Sequence, residues 1–148
     1  MNKKTSILLA VLGASLLGCR TEPLGGGGEG APREIRLGVF EGTLPSADCP
    51  GIDTRLTLTQ EGKYIDIGHF TLEETYRGRD AKPRVTRGEW TVIKGTAQDE
   101  NAVVYELRPG HSKPALYFLK RGETKVERLD REGNETASKA GFTLRKVR

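Results

Sequence analysis

No stretch of this 148-residue chain is apolar for long enough to cross a bilayer. The run from Ile7 to Leu17 covers about 11 residues, where a spanning helix needs roughly 20. Runs of Lys or Arg that could track a phosphate backbone are missing too, and the 24 basic and 20 acidic residues are dispersed as on a solvated surface. No nucleic-acid partner is expected. Aromatic residues make up 6% of the chain, with one Trp, so any core must be mainly aliphatic and modest. There is no Gly-x-Ser-x-Gly elbow, no phosphate loop and no His-Glu-x-x-His pair. Ser46 and Asp48 have no histidine near them in sequence, and Glu73-Glu74 fall in a polar stretch where solvation accounts for them. The expectation is a protein without catalytic residues or a cofactor.

What the N-terminus does contain is an export signal. Lys3 and Lys4 supply a positive start, the apolar run follows, and Leu16-Leu17-Gly18-Cys19 resembles the lipobox of bacterial lipoproteins. In that class the signal is cut before the cysteine, whose thiol takes a diacylglycerol and whose new amine is usually acylated. The resemblance implies a signal peptide at 1–18 and a membrane anchor at Cys19, each buried methylene contributing roughly 0.8 kcal/mol. Arg20 is not the aspartate that holds enterobacterial lipoproteins in the inner membrane, so the expected address is the periplasmic face of the outer membrane. Loss of Lys3 and Lys4 lowers the net charge from +4 to +2. With Cys19 acylated, Cys49 is the remaining thiol and no intramolecular disulfide can form. In an oxidising compartment such a thiol is either buried and inert or open to pairing with another molecule.

Residues 19–34, with Gly25-Gly26-Gly27-Gly28, Gly30 and Pro32, have nothing to bury and read as a tether. About 15 Gly-rich residues give an end-to-end distance near 20 Å. Residues 35–148 form one domain whose apolar positions recur with period two. Ile52, Thr54, Leu56 and Leu58 alternate with Asp53, Arg55, Thr57 and Thr59. Glu61-Gly62-Lys63 then punctuates before Tyr64–Ile67, as in a hairpin. Further strands are expected at 36–41, 85–93, 102–108, 115–120, 125–130 and 142–147. Gly95, Pro109-Gly110, Gly122 and Gly133-Asn134 mark the breaks between them. Thr71 to Pro83 reads as a surface loop. The fold class is therefore all-β, a small antiparallel meander closing into a barrel, which also removes exposed edges.

The segment Phe40-Glu41-Gly42-Thr43-Leu44-Pro45-Ser46-Ala47-Asp48-Cys49-Pro50-Gly51-Ile52 resembles the opening of the NlpE N-terminal-domain family of copper-resistance and envelope-stress lipoproteins. That family reads Gly-x-Leu-Pro-Cys-Ala-Asp-Cys-x-Gly-Ile, then a Thr-x-Leu-x-Leu strand and an acidic-Gly turn. Thr54-Arg55-Leu56-Thr57-Leu58 and Glu61-Gly62 supply both here. Gly88-Glu89-Trp90, Tyr117-Phe118 and Leu129-Asp130-Arg131-Glu132-Gly133-Asn134 match later family segments in order, so the resemblance runs from about Leu37 to Arg145. It implies a lipocalin-like barrel. Some members add an oligosaccharide-binding-type barrel, and the expectation here is the first domain alone. It also implies a motif loop made of Leu44, Pro45, Ser46, Ala47, Asp48, Cys49 and Gly51. The family's Cys-x-x-Cys pair falls on Ser46 and Cys49, and one thiol can neither cycle as an intramolecular disulfide nor offer two thiolates to a soft metal.

Cys49, His69 and His111 lie on separate segments, and Met1 leaves with the signal, so no metal site is expected. Ser46 can cap a short helical turn, Asp48 can bond amides within it, and Gly51 gives the freedom to re-enter a strand. The loop is then a corner or plug of the barrel, with a binding surface as the alternative. Trp90 is expected in the core. The function implied is a non-catalytic envelope lipoprotein concerned with stress sensing or copper homeostasis, with an envelope sensor protein as a possible partner. The alternatives are a carrier of a small apolar ligand and an inhibitor of a periplasmic hydrolase. Lumen volume separates the first from the carrier.

Overall fold

Eight strands joined in sequence order wrap into a closed antiparallel barrel in a computed structural model that describes residues 34–79, 82–137 and 141–148. The strands are β1 (Glu34–Leu44), β2 (Ile52–Glu61), β3 (Ile67–Tyr76), β4 (Arg84–Lys94), β5 (Val103–Arg108), β6 (Leu116–Arg121), β7 (Lys125–Arg128) and β8 (Thr143–Lys146). The signal at 1–18, Cys19 and the tether up to residue 33 lie outside the described residues. β1 and β8 close the barrel through the pairs Phe40↔Lys146 and Glu41↔Arg145. Backbone bonds from Val39 N to Arg148 O and from Val147 N to Val39 O extend that seam.

A meander has two distinct ends. The β1–β2, β3–β4, β5–β6 and β7–β8 connections leave from one, which carries the motif loop and is called the motif mouth. The start of β1 lies at the other, with the 62–66, 95–102 and 122–124 turns; this is the N-terminal mouth.

Alternation carries the core. Thr54, Leu56, Leu58 and Gln60 are the buried positions of β2, and their partners Glu74, Leu72, Phe70 and Gly68 on β3 share the same face. Phe40, Leu56, Leu58, Phe70, Leu72, Trp90, Leu107, Phe118, Val126 and Leu144 fill the lumen in one cluster. Trp90, only 1% exposed, donates from its indole nitrogen to Thr59 O at 2.8 Å and meets the Tyr105 ring edge-on at 5.4 Å. Space for that indole exists because Gly68 has no side chain: a Cβ there would lie 2.8 Å from Trp90 Nε1 and 2.0 Å from Thr59 O. Gly88 accommodates Phe70 in the same way, with Phe70 Cε1 2.9 Å from where a Cβ would be.

Around β3 the sequence-based expectations fail in two places. Thr71–Tyr76 belongs to β3 rather than to a surface loop, and Tyr64 lies in the preceding turn, where its N–H bonds Glu61 O. Glu74 is not solvated in a loop. It points into the lumen towards the motif mouth, where Arg128 Nη1 of β7 meets its Oε1 at 3.3 Å and the guanidinium also covers the Phe118 ring. The inward carboxylate is tolerated because a cation from the far wall neutralises it.

A second, smaller cluster lies on the outer wall, where Ala102, Val104, Leu119 and Leu129 pack together. Arg121 holds two carboxylates beside it, Glu127 at 2.8 Å and Glu135 at 2.6 Å.

Candidate functional site

The motif loop starts from an anchored strand end and returns to one. Leu44 is buried in the core cluster at the end of β1, and Gly51 is buried where β2 begins. Between them the chain bends without forming a helical turn, which corrects the capping role expected of Ser46. Its hydroxyl instead accepts the N–H of Asp48 at 3.3 Å, closing a short side-chain turn. Asp48 acts through its backbone: its N–H goes to Ser46, and its carbonyl accepts Arg79 Nη2 at 3.4 Å. Pro45 and Ala47 are exposed. Cys49 is half-buried, and its thiol donates to Gly51 O at 3.2 Å.

Gly51 has φ of 152°, and a Cβ there would sit 2.7 Å from Thr43 Cγ2. The freedom expected of this glycine is used, since no side chain fits and few residues adopt that backbone conformation.

Beneath the loop lies a clamp. Thr43 and Asp53 are paired across β1 and β2, and the Thr43 hydroxyl donates to Asp53 Oδ1 at 2.7 Å. Arg77 Nε donates to both Asp53 oxygens at 3.0 Å, and its Nη2 reaches Thr43 Oγ1 at 3.0 Å. Its own N–H bonds Gly51 O. One arginine thus ties the first two strands to the re-entry point of the loop. The hydrogen bond from Arg77 holds the Asp53 carboxyl below its ordinary range, and the same contact raises the Arg77 guanidinium. Because the folded-state value is depressed, the stabilisation from Asp53 is present at neutral pH. It is lost progressively as the pH falls from the ordinary carboxylate range through the depressed value. Sequence reasoning missed this clamp because Arg77 falls in the stretch assigned to a loop.

The structure does not bring the candidate metal ligands together. Cys49 is at the motif mouth. His69 is on the outer face of β3, with Nε2 2.6 Å from Glu61 Oε1, and His111 is exposed in the β5–β6 connection. Among the described residues, no three of His, Cys, Asp and Glu form a group that could hold a metal ion.

The sequence profile of the NlpE N-terminal domain matches residues 40–139. The chain belongs to that family. It is 31% identical to lipoprotein NlpE of Escherichia coli over 71% of this chain and 39% of that protein. To the 17 kDa lipoprotein of Treponema pallidum it is 36% identical over 57% of this chain and 52% of that one. It therefore spans about half the length of these relatives, or less. Among solved structures, a putative lipoprotein from Shewanella oneidensis is similar with a TM-score of 0.50 and 28% identity, covering 74% of this chain and 87% of that one. The NlpE-type family is one of lipoproteins rather than a known enzyme family. The all-β barrel read from the period-two pattern agrees with both the fold and the family.

The departure at Ser46 gives a direct test of the NlpE-type loop. Ser46→Cys is expected to form a disulfide with Cys49 after export. Closing so short a loop removes little chain entropy, so stability should move by about 1 kcal/mol or less. Mass spectrometry of the exported variant, with melting curves in oxidising and reducing buffer, checks both statements. Two persistent thiols in the oxidised fraction would mean the loop does not hold the pair at bonding geometry.

Proposed function

We propose that this chain is a lipid-anchored, non-catalytic envelope protein whose amount or state reports stress, held by Cys19 at the periplasmic face of the outer membrane. On this reading residues 1–18 are the signal, 19–34 the tether, and 35–148 a domain that works through its surface, the motif loop included, by contact with an envelope sensor protein.

The observation that carries the proposal is the filled lumen. A carrier barrel needs an empty interior, and here Trp90, Phe70, Phe118 and the leucines around them occupy it. A hollow at the N-terminal mouth, lined by Leu37, Phe40, Leu58 and Tyr105 among others, holds about 100 Å³, short of the roughly 300–1,000 Å³ of small-molecule sites. Larger hollows of about 480 and 640 Å³ lie on the outer wall, and charged side chains line much of both. Membership of a lipoprotein family supports the anchor.

The test is transcription from an envelope-stress promoter when the full-length chain is over-produced in its own host. Induction is expected for the wild type, and loss of induction for a motif-loop replacement that still folds and is anchored. Induction retained by a chain whose motif loop, 45–50, is replaced with Gly and Ser would remove the loop from the reading. No induction by the correctly anchored wild type would remove the stress role altogether.

Copper homeostasis in this chain would act through signalling rather than binding. A single thiolate and two scattered histidines cannot preorganise a soft-metal site, so affinity for Cu(I) is expected to be no better than about micromolar, roughly −8 kcal/mol. Competition against a Cu(I) chelator measures it, and a sub-nanomolar value would contradict the proposal.

A further inference from the structure

The exposed large apolar residues are unevenly placed. Tyr64 is 59% and Ile65 71% exposed at the tip of the 62–66 turn, and Ile67 follows them at the start of β3. Ile35 is half-exposed near the start of β1, and Ile93 is exposed near the end of β4. All five lie at the N-terminal mouth; Val147, half-exposed just after β8, bonds Val39 O along the β1–β8 seam, and the motif mouth has Val85 alone among the exposed large apolar side chains of the described residues. We propose that the N-terminal mouth rests on the lipid surface, with Tyr64 and Ile65 entering the headgroup and acyl boundary, so that the motif loop faces away from the membrane. This inference rests on the anchor at Cys19.

Two further observations commit this surface to lipid. The described chain begins at Glu34, on the same rim as the apolar residues, and 14 residues separate it from Cys19. A Gly-rich sequence of that length has a random-chain reach of roughly 20 Å, which would hold this rim near the bilayer for as long as the anchor is inserted. Each apolar group also has a basic neighbour whose stem can lie along the interface while its charge stays wet. Arg36 follows Ile35, Lys63 precedes Tyr64, and Lys94 follows Ile93. Of the nearby acids, Glu34 accepts the Thr59 hydroxyl and Glu61 pairs with His69, while exposed Asp66 sits between Ile65 and Ile67. Opposed charges leave little net Coulombic pull, so apolar insertion drives the contact, and its dependence on anionic lipid should be weak.

The test uses the full-length acylated protein, purified from membranes and reconstituted into phosphatidylcholine vesicles containing brominated lipid. Ile65→Trp and Val85→Trp place reporters at the two mouths, while the native Trp90 is enclosed in the lumen and shared by both. Quenching of the Ile65→Trp reporter is expected to exceed that of Val85→Trp by about threefold or more, and to change little when phosphatidylglycerol is added. Equal quenching in acylated protein would overturn the docking and leave the anchor standing. Protein carrying no acyl chain by mass spectrometry would overturn the anchor and the docking with it. Shielding of the Ile65→Trp reporter from acrylamide without vesicles, growing with protein concentration, would assign the surface to a second copy and also overturn the proposal.

Discussion

Cys19→Ala is expected to abolish membrane retention, leaving an unprocessed precursor or a soluble product with no acyl label. On the proposed reading the lipid at Cys19 supplies the strong membrane attachment, because Ile7–Leu17 is too short to span and one apolar turn cannot hold a domain in place. Acyl chains act together: a single myristoyl chain binds only marginally, with an association constant of about 10⁴ M⁻¹, whereas two or three hold stably. The membrane-bound fraction should therefore fall by about tenfold or more. Fractionation with radiolabelled palmitate decides the matter. Label on the Cys19→Ala protein would remove the lipoprotein reading, and unlabelled protein that still fractionates with membranes would show that another attachment dominates.

Gly68→Ala should be the most damaging single-methyl change in the barrel. Gly68 lies between Gln60 and Trp90 across β2, β3 and β4, and an added Cβ would collide with backbone on one side and the indole on the other. The contact with Thr59 O cannot be relieved by rotating a side chain. Overpacking of this kind costs about 1–3 kcal/mol, and displacing the indole from Thr59 O forfeits about 1 kcal/mol more. The expected loss is therefore roughly 2–4 kcal/mol, against about 3–5 kcal/mol for Trp90→Ala, which empties the same site. Denaturant melts of the two variants test this together. A Gly68→Ala protein within about 0.5 kcal/mol of the wild type would mean the indole is not wedged over that glycine.

Much of this architecture was legible because it rests on local alternation. Ile52, Thr54, Leu56 and Leu58 show their shared face without any knowledge of the partner strand, and the turns after β4, β6 and β7 carry Gly at positive φ. β3 was not fully legible. In Thr71–Tyr76 the lumen side reads Leu72, Glu74 and Tyr76, and the acid breaks the apolar pattern. What permits Glu74 inside is Arg128, 54 residues away, and no local window holds both.

The site divides along the same line. The motif loop stood out by residue type and spacing, Ser46 and Gly51 in particular. The Thr43–Asp53–Arg77 clamp did not, because it joins three strand ends that only the barrel brings together. The five apolar residues at the N-terminal mouth were likewise scattered over β1, the 62–66 turn, β3 and β4.

On the proposed reading a barrel filled by its own side chains is carried on a lipid at Cys19. Intact mass spectrometry of the protein purified from its native envelope, first under native and then under denaturing conditions, tests both halves at once. The expected native mass is that of residues 19–148 with a diacylglyceryl group and an amide-linked acyl chain, and it should be unchanged on denaturation. A polypeptide mass beginning elsewhere, or a stoichiometric small molecule released when the barrel unfolds, would contradict the account.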